Sequence, residues 1–240
     1  MKLTAPTGLV LALLLSVAAF AQGADAIKRA AADIDTAFTS FAQLAAPKPG
    51  SANGPLRYSD PAAKVLLDQI WNWKPLVDAH PVADDLSEVL RVFEVQNSVF
   101  KYYVFGAPNS DPAANSVAHQ YEISRSAETL IAISGVVNAS MLAFWASLPE
   151  EQRTDVRKDG IRKVRSGMVQ LVNGLVQEVG NIQYSSENRL RMASALAQHG
   201  ERFVASLGPG QQNELLQLAR TAAAGQPDHI AVPLAAFAKV

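Results

Sequence analysis

Cysteine is absent from this chain. That excludes disulfides, thiolate zinc sites, cysteine nucleophiles and lipid attachment through a lipobox cysteine. An excess of either charge is also missing: 21 Lys and Arg face 22 Asp and Glu. Phosphate binding needs a basic surplus, so a nucleic-acid role is not expected. No segment alternates apolar and polar residues between hairpin turns, so strands are not expected. No Gly-x-Ser-x-Gly elbow and no glycine-rich phosphate loop after a strand occurs. Histidine is sparse, with four in the chain, and no repeated Glu-x-x-His motif supplies a di-metal site. What is left is helical patterning and one long apolar run.

The first 21 residues read as a signal peptide. Lys2 is the basic start, Leu9 to Ala18 the apolar stretch, and Ala19-Phe20-Ala21 a small-x-small cleavage site. The mature chain is then expected to begin at Gln22, in the periplasm or outside the cell. Without disulfides it must be held by its core alone, and its length suffices for that in one domain or in two tightly packed lobes.

The run from Thr129 to Leu148 carries no charge for about twenty residues, close to the length that spans a bilayer. On a helical wheel, Leu130, Ile133, Val137, Met141, Phe144 and Leu148 form a large stripe. Ala132, Gly135, Ala139, Ala143 and Ala146 form a small one opposite. A helix apolar nearly all round is buried in a core or in lipid. Asn138 in mid-run, the hydroxyls of Thr129, Ser140 and Ser147, and the lack of an aromatic belt favour a core. Gly160, Gly167 and Gly174 recur every seven residues beside Ile161, Val164, Met168, Leu171 and Leu175, as in a coiled-coil seam. Mid-helix glycine costs about 0.5–1 kcal/mol relative to Ala. The expectation is that this second helix lies along Gly135 and Ala139 of the first.

The remaining chain divides as follows. Residues 22–46 read as an amphipathic helix with Ile27, Ile34, Phe38 and Phe41 on one face, expected to dock on its own body. Residues 47–57, rich in Pro and Gly, read as a linker. Residues 58–240 read as one helical domain. Asp60-Pro61 and Asp111-Pro112 both carry helix-start chemistry, with Val65, Leu66, Ile70 and Trp73 as inward candidates after the first. Residues 84–105 form a helix with Leu86, Leu90, Phe93, Asn97, Phe100 and Val104 as its inward stripe. From Asp111 one helix continues through the apolar run, with a bend near Ser124 to Ser126. Ser147-Leu-Pro-Glu150 starts the glycine helix as a capping box. Ser185 caps the next, Glu214 to Ala224 form a short helix, and the apolar tail packs down. Phe144-Leu148 and Phe203-Leu207 echo each other and raise the question of a duplication.

Three groups of side chains are candidates for chemistry. His119 and Glu122 sit one turn apart, with Glu128 further along. Such a set can bind a metal or move protons, but exposed polar residues on the less buried half of a long helix account for it better. The basic cluster from Arg153 to Arg165 is interleaved with acids and reads as a solvated, salt-bridged face. Trp71, Trp73 and the Phe93–Phe105 aromatics, with Tyr103 and the handles Asn97, Lys101 and Asn138, are the candidate ligand-binding residues, set between their helices and the central one.

The fold class expected is all-α: a bundle of six to eight helices around a buried central helix at about 129–148. The function expected is an exported, non-enzymatic binding or interaction protein of the bacterial envelope. Its partner is a protein or a small apolar ligand; a membrane surface is not favoured. No catalytic residue, metal or cofactor is assigned. Two alternatives stand: an enzyme with a His/carboxylate site around 119–128, and a membrane-anchored protein using 129–148.

Overall fold

Residues 120–147 form one helix, and protein wraps most of it. The computed structural model describes the backbone of residues 7–46, 55–78, 83–106 and 111–240, with side chains from Asp25 onward. Among these residues the chain is all-α, with ten α-helices and no strand. They are α1 (Thr7–Ala45), α2 (Pro61–Ile70), α3 (Lys74–Asp78), α4 (Leu86–Phe105), α5 (Pro112–Ala118), α6 (Gln120–Ser147), α7 (Asp155–Val179), α8 (Ser186–Ala205), α9 (Pro209–Ala223) and α10 (Asp228–Phe237). Short 3₁₀ turns at Ala83–Asp85 and Glu150–Gln152 precede α4 and α7. The leader's side chains, most of the linker, His80-Pro81 and residues 107–110 lie outside the described residues.

The central helix is α6. Leu130, Ile133, Val137 and Met141 are each at most 2% exposed, and each such burial stabilises by roughly 1.5–3 kcal/mol. By length and composition α6 could cross a membrane, but 67% of its most apolar window is covered by the protein itself. Two of its hydroxyls are satisfied within the helix: Ser134 Oγ donates to the Leu130 carbonyl at 2.6 Å, and Thr129 Oγ1 to that of Arg125 at 3.1 Å. The cover ends at Met141. Leu142 is 38% exposed, and Ala143 and Ala146 are exposed too.

Helix α6 is sandwiched between α4 and α8, with α10 covering the far side of α8. The helix that approaches the small stripe is α8, not α7. A Cβ added to Gly135 would sit 2.9 Å from Arg202 Cβ and 3.0 Å from the Phe203 amide nitrogen. Gly160, Gly167 and Gly174 have nothing within 4 Å of a built Cβ. The expected contact between the glycine seam and Gly135 with Ala139 is therefore not made. Ala139 is half-buried.

Helix α1 does lie on the body. Ile27, Ile34 and Phe41 are buried at two-turn intervals against α2 and α4, and Asp35 accepts from Arg91 Nε at 2.9 Å. The C-terminal tail is helical, and Ile230, Leu234 and Phe237 are fully buried.

Local structure differs from the sequence reading at three helix starts or stops and at one inward position. The long helix from Asp111 breaks at His119 rather than bending near Ser124. Asp111 caps α5 by accepting from the Ala113 amide at 3.0 Å, whereas Asp60 turns back to the Arg57 amide at 2.9 Å and leaves α2 without a side-chain cap. Helix α7 starts at Asp155 under a Thr154 cap, one 3₁₀ turn later than the Ser147–Glu150 box implied. Val65 is 58% exposed, and Leu67 fills the core position in its place.

Candidate functional site

The most exposed part of the described body is the first half of α7. Residues 151–160 are all exposed, and α7 is buried only from Met168 onward, through Val169, Val172, Leu175, Val176 and Val179. Two interleaved apolar stripes on α4 explain what lies beside it. The stripe that seats α4 against the core is Val89, Val92, Gln96, Val99 and Tyr103. The stripe expected inward stays half-buried at Leu86, Leu90, Phe93, Asn97 and Phe100, with Val104 alone buried. Its residues from Leu90 to Val104 face α7.

Between α4 and α7 runs an open trough. One part, of about 590 Å³, is lined by Leu90, Phe93, Glu94, Asn97 and Lys101 on α4 and by Lys163, Val164, Gly167 and Leu171 on α7. A second part, of about 290 Å³, continues past Gln170 and Leu171 to Phe100, Val104 and Gly174. At a helical rise of about 1.5 Å per residue, the stretch from Leu90 to Val104 makes the trough about 20 Å long. Gly167 and Gly174 lie on its α7 wall, where the missing side chains leave it wide. Asn97 and Lys101, two of the sequence candidates, are here. The α7 residues were missed because heptad spacing marks them as a seam without saying that the seam is open.

The other sequence candidates are elsewhere. Trp71 is buried, and its Nε1 donates to Ser126 Oγ at 3.1 Å. Trp73 meets the His199 ring edge-on at 4.6 Å. Tyr103 is fully buried beside Phe41, Tyr102 and His119. Asn138 is buried, and its Nδ2 donates to Ser206 Oγ at the end of α8. These four hold helices together; they do not converge with Asn97 and Lys101.

The His119 group is not exposed, as the sequence suggested, but buried. His119 is 3% and Glu122 4% exposed. Glu122 Oε1 accepts from the Tyr58 amide at 2.7 Å, and Arg57 Nη1 donates to the Ala118 carbonyl. The junction of α5 and α6 is thereby tied to the segment before α2. Burial, helped by the charge of Arg57, pushes the His119 pKa down to about 4. Burial, with Glu122 nearby, pushes the Tyr103 phenol up. Glu128 stands apart, bound to Arg125 Nη1 at 2.6 Å. Among the described residues no three His, Asp or Glu side chains group as a metal site would need. The arrangement can fasten chain segments; it offers no open face to a substrate.

No family model matches this chain, and no curated protein or solved structure matches it either.

Proposed function

We propose that this chain is an exported, non-enzymatic binding protein of the bacterial envelope, and that the α4/α7 trough receives an amphipathic helix of a partner protein. The observation that carries the reading is the trough itself: an open channel between α4 and α7, lined in good part by apolar side chains, with no helix among the described residues lying in it. Small-molecule pockets enclose most of their ligand's surface. This channel is open along its length, with Lys101, Gly167 and Gln170 exposed, and suits a helix laid into a groove. The partner's apolar face would rest on Leu90, Phe93, Val164 and Leu171. Its carboxylates would meet Lys101 and Lys163 at the rim. Export rests on the leader in residues 1–21, and the N-terminal residue of the mature chain, expected to be Gln22, checks it.

The trough is tested by photo-crosslinking in cells. A benzophenone side chain at Lys101 or Gln170 is expected to give a discrete adduct, and one at Lys239 is not. Gly167→Trp adds bulk where a Cβ meets nothing within 4 Å, so it should abolish the adduct without lowering the melting temperature. Equal labelling from all three positions, or an adduct that survives Gly167→Trp, would end the reading.

A further inference from the structure

Helix α7 has a second open face. Lys158, Ile161, Arg162, Arg165 and Ser166 step along it by three and four residues. With Leu142 and Trp145 of α6 and Gln211 of α9 they line a pocket of about 470 Å³. That volume is within the range of small-molecule sites, about 300–1,000 Å³. Its chemistry is divided. Leu142, Trp145 and Ile161 form an apolar wall where the cover of α6 has ended. Lys158, Arg162 and Arg165 supply three cations, and among the described residues no carboxylate lines the pocket. The nearest acid on the helix, Asp159, pairs with Arg162 at 3.1 Å, and both side chains are largely exposed. Arg165 is not a free surface charge. Its Nη2 donates to the Ser206 carbonyl at 2.7 Å, and Ser206 is held in turn by Asn138. The guanidinium is thus fixed at the pocket wall by the end of α8, itself tied to the middle of α6, with little rotamer freedom left to lose on binding.

We propose that this pocket binds a single-chain anionic amphiphile, with its apolar chain on Leu142, Trp145 and Ile161 and its phosphate or carboxylate among Lys158, Arg162 and Arg165. Apolar burial supplies the affinity. The charge-assisted hydrogen bonds select anions. The ligand enters as a monomer, because the apolar wall is concave and the cations stand beside it. The site is independent of the α4/α7 trough and uses the opposite side of α7.

The purified chain reports on its own pocket. Trp71 and Trp73 are buried and Trp145 is half-buried, so Trp145 supplies the ligand-sensitive emission. Dodecyl phosphate and dodecanoate, below micelle formation, are expected to shift that emission to the blue and saturate at one per chain. Dodecyltrimethylammonium, with the charge reversed, should bind about tenfold more weakly or worse, the scale of one charge-assisted hydrogen bond. Lys158→Gln with Arg162→Gln, both exposed and so harmless to folding, should lower dodecyl phosphate affinity about tenfold. Gly167→Trp should leave that affinity unchanged. The proposal is overturned by equal binding of the cationic amphiphile, by unchanged affinity in the double variant, or by a loss in Gly167→Trp. It is also overturned if phosphatidylglycerol vesicles retain the chain while monomers give no response, which would make this face a membrane contact.

Discussion

Helices α6 and α7 both carry glycine at helical positions, and the two regions use it in opposite ways. At Gly135 the backbone of α8 comes so close that a methyl group would meet Arg202 and Phe203. At Gly160, Gly167 and Gly174 there is nothing to meet. The first glycine is a packing device: it lets two helices approach until main chain touches main chain, in an interior close-packed like a crystal. Gly167 and Gly174 leave a wall low, and Gly160 stands in the open. Glycine in a helix therefore signals close approach only where a partner surface is present. Spacing shows which residues share a face and is silent on what stands opposite.

The sharpest way to break this comparison is to fill the glycines. Gly135→Leu drives a side chain into the α8 backbone, which cannot rotate away. The expected loss is about 3 kcal/mol or more, at the upper end for overpacked cores. Chemical denaturation measures it. Gly200 of α8, against the Phe237 ring of α10, should respond in the same direction and somewhat less, since a ring can shift. A Gly135→Leu chain as stable as the native one would mean that α6 and α8 are further apart than described, and the contrast with α7 would vanish.

A second contrast is electrostatic. The His119 imidazole is buried at the α5/α6 junction, and its pKa falls from 6.5 to about 4. The unfolded chain then binds a proton that the folded chain refuses. Stability from this group is complete above about pH 6.5 and is lost as pH falls towards about 4, by about 2–3 kcal/mol. His119→Phe keeps a ring of similar shape and removes the titration, so it should flatten that part of the stability profile between pH 7 and 4. Lys158→Gln, on the exposed half of α7, should leave the profile unchanged. A His119→Phe profile parallel to the native one would place the acid sensitivity elsewhere.

These residues also show what the sequence made legible. The charge-free run from 129 predicts a covered helix, and Leu130 to Met141 are covered. Ser185 predicts a cap, and its hydroxyl accepts from the Asn188 amide. Local chemistry of this kind is readable because partner and cap lie within one turn. The break at His119 was not readable, since no proline or glycine marks it. What stabilises it is distant in sequence: Tyr58 and Arg57, reaching across to Glu122 and Ala118. On α4 the pattern predicts Leu86, Leu90, Phe93, Asn97, Phe100 and Val104 as the inward stripe, and from Leu90 onward that stripe is the trough wall, while Val89, Val92, Gln96, Val99 and Tyr103 seat the helix. The chemistry of Asn97 and Lys101 is legible in the sequence, but their surroundings depend on where α7 stops packing. Trp71, Trp73 and Tyr103 drew notice as aromatics and are core, as large apolar rings commonly are.

The smallest expected effect tests the open region directly. Gly167→Ala adds one methyl to a helix wall where nothing lies within 4 Å. It removes the conformational freedom that glycine brings to the unfolded chain and obstructs nothing in the folded one. The expected change is a gain of about 0.5–1 kcal/mol, seen as a higher denaturant midpoint with an unchanged slope. Gly160→Ala, on the fully exposed first turns of α7, should gain a similar amount. The sign matters more than the size. A gain at Gly167 beside a loss at Gly135 means that one helix is packed and the other is waiting. A loss at both means that something already rests on α7 in solution, a second copy of the chain being the simplest candidate, and sedimentation at two concentrations would then reveal it.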